Sequence, residues 1–293
     1  MGLPGVIAPI CTPFQANGEV HHDALRKNIA KYNRAGLAGF VVAGTTGEAP
    51  LLNRVEKLKL FQTVREAAEG KVLIAGTGAE SIRETLALTQ DAAGLGYDVA
   101  LVLTPHYYRA QMSRSETQIS FFSAVADSSP IPILIYNLPQ MTGLDLSLDA
   151  VVELSEHTNI LGIKDSSADM ERIEKLISAL PTTFDVLVGA STKFHESLCL
   201  GAKGGIVAIA NVAPHLTQLI YDRYRSGDIL GSHQCQQQIA HAAGVVARYG
   251  IQGLKYAMDT NGYFGGACRM PLLPLGEQQK DEIDLLFCDI EDN

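Results

Sequence analysis

No two cysteines in this sequence are spaced as CxxC: Cys11, Cys199, Cys235, Cys268 and Cys288 are odd in number and scattered along 293 residues. That scatter excludes a disulfide framework and a zinc ribbon, and points to reduced thiols in a cytosol. Basic charge is also short. Against 32 acidic residues stand 23 lysines and arginines, a net charge of −9, which leaves no electrostatic footprint for nucleic acid or an anionic membrane. No apolar run is long enough to span a bilayer, and the chain passes within a few residues into GVIAPICTPF, without a basic n-region, an apolar h-region or an Arg/Ser-rich leader. The expectation is a cytoplasmic protein that binds neither nucleic acid nor membrane. The GxSxG elbow, the Walker motif and the dinucleotide fingerprint are missing too.

What is present is an alternation of short apolar, β-branched runs with longer amphipathic ones. Eight runs count out: 5–14, 39–44, 71–78, 98–105, 131–139, 160–167, 184–191 and 204–212. Between them lie helical patterns, three of them stopping at Gly36, Gly70 and Gly96, and others opening at Ser113, Ser147, Asp169, Thr192 and His215. Strands that are apolar on both faces and alternate with helices imply a parallel sheet, and eight such units favour closure into an α/β (β/α)8 TIM barrel over an open sheet. After Asp228 the alternation stops. The expected organisation is a catalytic barrel over 1–228 and a C-terminal helical extension over 229–293, with helices near 230–249, 251–261 and 276–289.

In such barrels, chemistry gathers at the C-terminal ends of the strands. Of the lysines, Lys164 alone follows the apolar part of its run, ILGIKDSS, while Lys71 and Lys203 precede theirs. A buried lysine finds a partner or loses its proton. From position alone, an ion pair with a carboxylate such as Asp165 and a nucleophilic amine are equally good readings. Tyr136 ends the fifth run, where a core or interface role is the commoner fate of a tyrosine. The turn GTTGEAP after the second run offers Thr45, Thr46 and backbone N–H groups for a carboxylate or oxyanion, or else two helix-capping threonines. His106, Tyr107 and Tyr108 follow the fourth run, as site residues or as subunit packing. His21 and His22 have no third ligand at metal spacing and read as a solvated helix start.

An amine, phenols, hydroxyls and a backbone nest on one face suit imine chemistry on a 2-oxo acid. The neutral amine attacks the ketone, the protonated imine serves as an electron sink for making or breaking the C3–C4 bond, and hydroxyls shuttle protons. Such chemistry needs no metal and no cofactor beyond the covalent imine.

The ordered motifs GTTGE (44–48), TPHYY (104–108), YNLPQMTG (136–143), GIKDSS (162–167), VGAS (188–191) and AIANV (208–212) resemble the Schiff-base aldolases and lyases of the dihydrodipicolinate synthase and N-acetylneuraminate lyase superfamily. The resemblance covers essentially the whole chain. It implies that Lys164 forms the imine, that Tyr136 is the central proton donor and acceptor, and that Thr45 links Tyr136 to Tyr107. In that family the last tyrosine crosses a tight-dimer interface, within a homotetrameric dimer of dimers. Thr46 would hold the substrate carboxylate, with Gly189 and Ile206 lining the pocket.

One departure bears on substrate. Dihydrodipicolinate synthases carry an arginine for the aldehyde's carboxylate at the position of Met141, and a thioether cannot replace its bidentate grip. The stretches 142–167 and 248–272 resemble instead the eukaryotic 4-hydroxy-2-oxoglutarate aldolases, although the animal enzymes have Ser-Asn where this chain has Thr45-Thr46. The expected reaction is retro-aldol cleavage of 4-hydroxy-2-oxoglutarate to pyruvate and glyoxylate, with Ser166 as a contact for the distal carboxylate or as a turn cap. The alternatives are a dihydrodipicolinate synthase, a 2-keto-3-deoxy sugar acid aldolase, and a barrel that binds a 2-oxo acid without turning it over.

Overall fold

The structure, a computed structural model, describes residues 2–287. Eight parallel strands close into a barrel in sequence order: β1 (Gly5–Pro9), β2 (Gly39–Val42), β3 (Val72–Gly76), β4 (Val99–Leu103), β5 (Ile133–Asn137), β6 (Ile160–Asp165), β7 (Asp185–Val188) and β8 (Gly204–Ile206). Each lies inside one of the apolar runs. The runs overshoot at their C-terminal ends because the chain stays buried after it leaves the sheet; Ile10, Cys11, Thr12 and Phe14 are each under 4% exposed although β1 stops at Pro9.

The helices around the barrel are α1 (His22–Arg34), α2 (Arg54–Ala67), α3 (Ile82–Gly94), α4 (Arg109–Met112), α5 (Ser115–Ser128), α6 (Pro139–Thr142) and α7 (Leu148–Leu154). They continue with α8 (Met170–Ala179), α9 (Phe194–Leu200) and α10 (Pro214–Arg225), and are followed by α11 (Ile229–Thr260) and α12 (Glu277–Phe287). Several starts carry the caps their sequences advertise. Ser147 accepts from the Ala150 N–H and Asp169 from the Arg172 N–H, while Asn53 and Glu56 form a reciprocal capping box at α2. The two tail helices expected at 230–249 and 251–261 follow one another within α11 and part at Gly250, whose φ of 66° and ψ of −148° are not helical. Residues 288 and 289 of the third expected helix, and Cys288, lie outside the described residues. Among the described residues, no helix is long and apolar enough to cross a membrane.

Alternation along each strand sorts the core. Ile7, Val41, Ile74, Leu101, Leu134, Tyr136, Leu187 and Ile206 fill the barrel interior, and the residues between them face the helices. The ladder between β5 and β6 shifts by one residue: Ile133 pairs with Ile160, but Leu134 pairs with Gly162. Gly162 is required there, because a Cβ would stand 2.1 Å from the Asp185 carbonyl oxygen on β7.

Candidate active site

The β5–β6 shift makes Tyr136 and Lys164 register partners, both facing inward at the C-terminal end of the barrel. Lys164 is 5% exposed, and its Nζ stands 4.0 Å from the centroid of the Tyr136 ring. One residue further on, Asn137 and Asp165 are again partners but face outward. Asp165 is fully buried and accepts from Asn137 Nδ2 (2.8 Å), Arg172 Nε (2.8 Å), and the Ser167 N–H (2.9 Å) and hydroxyl (2.5 Å). The ion pair of Lys164 with Asp165 therefore does not form. Adjacent strand residues point to opposite faces, and this carboxylate is committed to Arg172 and Asn137, where it clamps the strand ends that carry the inward pair.

Lys164 and Tyr136 open into a cavity of about 290 Å³, of a size for a small metabolite. On one side it is lined by Thr45 and Thr46 from the turn after β2, and on another by Gly189 and Ser191 after β7 and Ile206 on β8. Thr45 Oγ1 lies 3.5 Å from Tyr136 Oη, the outer edge of hydrogen-bonding range. Gly189 keeps the space beside the amine open: a Cβ there would stand 1.8 Å from Ser166 Oγ and 3.2 Å from Lys164 Cε. Ser166 and Met141 both line the cavity, and Met141 is 68% exposed at its mouth. Among the described residues, Lys164 is the single charged side chain in the lining.

Tyr107 is placed apart from the cavity. It is 77% exposed in the loop after β4, edge-on to Tyr108, and its N–H donates to the Glu80 carboxylate, which also pairs with His106. The expected Thr45 to Tyr107 link is not made within one chain.

Sequence reasoning missed one whole wall. Ala243, Val246, Ala247, Gly250, Ile251 and Leu254 of α11 line the cavity, so the C-terminal extension is part of the site. Their spacing reads as an ordinary apolar helix face, and only the break at Gly250 marks the segment as unusual. Gln140 and Ser191 were likewise not singled out, though both stand in motifs that were. Among the described residues, no group of three or more His, Cys, Asp or Glu side chains is arranged to hold a metal.

A profile of the Dihydrodipicolinate synthetase family matches residues 2–287. The chain is 33% identical over 281 residues to the 4-hydroxy-tetrahydrodipicolinate synthase of Methanothrix thermoacetophila, covering 95% of this chain and 94% of that one. It is 35% identical over 276 residues to the probable mitochondrial 4-hydroxy-2-oxoglutarate aldolase of Emericella nidulans, covering 92% and 89%. Its fold superposes with a TM-score of 0.94 on the dihydrodipicolinate synthase of Acinetobacter baumannii complexed with pyruvate, at 32% identity over 98% of both chains. With matches of this extent in both sequence and fold, the chain belongs to the dihydrodipicolinate synthetase family of class I lyases.

Proposed function

We propose that the protein is a Schiff-base aldolase that cleaves 4-hydroxy-2-oxoglutarate to pyruvate and glyoxylate. The observation that carries the imine is the pairing of Lys164 with Tyr136 in a cavity that has no other charged side chain among the described residues. The neutral Lys164 amine attacks C2 of the ketone. Tyr136, with Thr45 beside it, relays the protons by which the carbinolamine loses water. With the protonated imine as electron sink, Tyr136 takes the C4 hydroxyl proton, the C3–C4 bond breaks, and glyoxylate leaves. The resulting enamine is protonated at C3, and water hydrolyses the imine to free pyruvate and Lys164. The N–H groups and hydroxyls of Thr45 and Thr46 hold the C1 carboxylate throughout, with Gly189 and Ile206 lining the pocket and Ser166 as the contact for the distal carboxylate.

Met141 counts against the synthase reaction: it lines the mouth where the family's synthases place an arginine, so the carboxylate of aspartate semialdehyde lacks that guanidinium, and the distal carboxylate of 4-hydroxy-2-oxoglutarate is left to neutral donors such as Ser166. The second reading, condensation of pyruvate with aspartate semialdehyde, is favoured by the names of most relatives, including those from Methanothrix and Exiguobacterium. The exposed Tyr107 belongs, in this proposal, to the neighbouring site of a dimer within a homotetramer, where it completes the proton relay through Thr45.

Borohydride trapping with pyruvate, read by intact mass and peptide mapping, tests the imine. The adduct is expected at Lys164 in the wild type and absent from Lys164→Ala. Turnover of 4-hydroxy-2-oxoglutarate, of 2-keto-3-deoxy sugar acids and of pyruvate with aspartate semialdehyde then ranks the substrates. An adduct without turnover of any of them would leave a binding barrel.

A further inference from the structure

A second buried lysine lies outside the imine chemistry. Lys255, 1% exposed, sits on α11 beyond the break at Gly250, and its Nζ stands 2.5 Å from Oε1 of the fully buried Glu48. The ammonium also donates to the Ala267 carbonyl (2.8 Å) and lies 4.5 Å from the Phe14 ring centroid. The other carboxylate oxygen of Glu48 accepts from the Arg269 N–H at 2.9 Å. Burial, and then Glu48 beside it, push the Cys268 thiol up to about 11.

A buried ion pair is a weak reason for stability, because desolvation offsets most of the attraction. Its placement points to geometry instead. Glu48 closes the turn that carries Thr45 and Thr46: its N–H donates to the Thr45 carbonyl at 3.0 Å, and its φ of 58° is a left-handed conformation that a residue with a side chain adopts at a cost. Lys255 follows Leu254 and lies one turn after Ile251, both of which line the cavity. The pair joins two walls of one cavity that are remote in sequence.

We propose that the Glu48–Lys255 ion pair is a positioning device for catalysis. It fixes the Thr45-Thr46 turn against the second half of α11, so that the turn's N–H groups meet the 2-oxo acid and the Thr45 hydroxyl meets Tyr136 in one geometry. Neither residue touches substrate. The inference rests on the imine reading above.

The test is the rate of borohydride-trapped imine formation against pyruvate concentration, per folded site, for wild type, Glu48→Gln and the charge-free double variant Glu48→Gln/Lys255→Met. Thermal melts of the full-length proteins supply the folded fraction. Both variants are expected to lose between about tenfold and a hundredfold in maximal rate, the size of effect that small misplacements cause, and to need more pyruvate for half-saturation. A purely structural pair would change the melt and neither kinetic parameter. A folded double variant with wild-type rate and half-saturation overturns the positioning role, and so does a double variant that does not fold. A wild type that forms no adduct overturns the imine reading itself, a different failure.

Discussion

Tyr136 and Lys164 face each other because β5 and β6 slip by one residue at Ile133 and Leu134. Continuing the pairing of Ile133 with Ile160 would set Tyr136 beside Ile163 and turn Lys164 outward, since a one-residue change of register exchanges the faces of a strand. The slip therefore places the amine in the barrel, 4.0 Å from the centroid of the Tyr136 ring.

From that geometry, Tyr136→Phe is expected to lower turnover by about 10²–10⁴-fold, the usual worth of a positioned acid–base group. The ring beside Lys164 survives this change, so the trapped adduct should still map to Lys164, more slowly formed. Steady-state assays with the preferred substrate, beside the trapping assay, check both parts. Wild-type turnover in Tyr136→Phe would remove the phenol from the mechanism.

Two glycines near the lysine separate shape from stability. In Gly189→Ala the new methyl meets Ser166 and the Lys164 side chain, so imine formation with pyruvate is expected to fall at least about tenfold while the barrel stays folded. In Gly162→Ala the methyl meets the Asp185 backbone at 2.1 Å, which cannot rotate away. The expected result is a loss of about 3 kcal/mol in unfolding free energy, at the upper end of overpacking costs, seen as a lower denaturation midpoint.

The extension's grip on the barrel should depend on pH. The hydrogen-bonded Arg269 guanidinium holds the Glu56 carboxyl below its ordinary 4.5, and the two side chains are only 18% and 19% exposed. A carboxylate whose native pKa is depressed stabilises the fold fully above its unfolded pKa, and this contribution is lost as pH falls through the native value. Glu56→Gln is therefore expected to lower the melting temperature by about 2–4 °C at pH 7, with the difference from wild type shrinking below pH 4.5. Melts at several pH values check the sign.

The barrel was legible because parallel strands buried on both faces read as unbroken apolar runs, and glycines marked the helix stops. Lys164 was legible from its place at the end of a run. The register slip was not, since Gly162 shows its purpose only once Asp185 lies against it. The α11 wall was hidden for a related reason: Val246 and Leu254 satisfy a helix-face pattern equally well over a core or over a cavity. Lys255 carried no signal in the sequence, because its partner Glu48 comes from a turn remote from it. Local patterns report which face is apolar, but not which distant segment covers it.

Met141 bears on the choice of aldehyde at the cavity mouth. It is 68% exposed, lines the cavity beside Gln140, and gives an incoming aldehyde neither charge nor hydrogen bond. In the proposed mechanism Lys164 is taken up by the imine, so the cavity lining among the described residues keeps no other cation for the carboxylate of aspartate semialdehyde. Restoring a guanidinium with Met141→Arg should supply a bidentate contact, and a charge-assisted pair of this kind is worth about 1.5–3 kcal/mol. That converts to roughly a tenfold to hundredfold gain in kcat/KM for condensation with aspartate semialdehyde. Because the exposed side chain has room to extend, the pyruvate trapping rate should stay near wild type. A variant that traps pyruvate normally yet gains nothing with aspartate semialdehyde would show that the distal pocket differs from a synthase in more than this contact. The α11 residues Ala247 and Ile251 would then be the next positions to exchange.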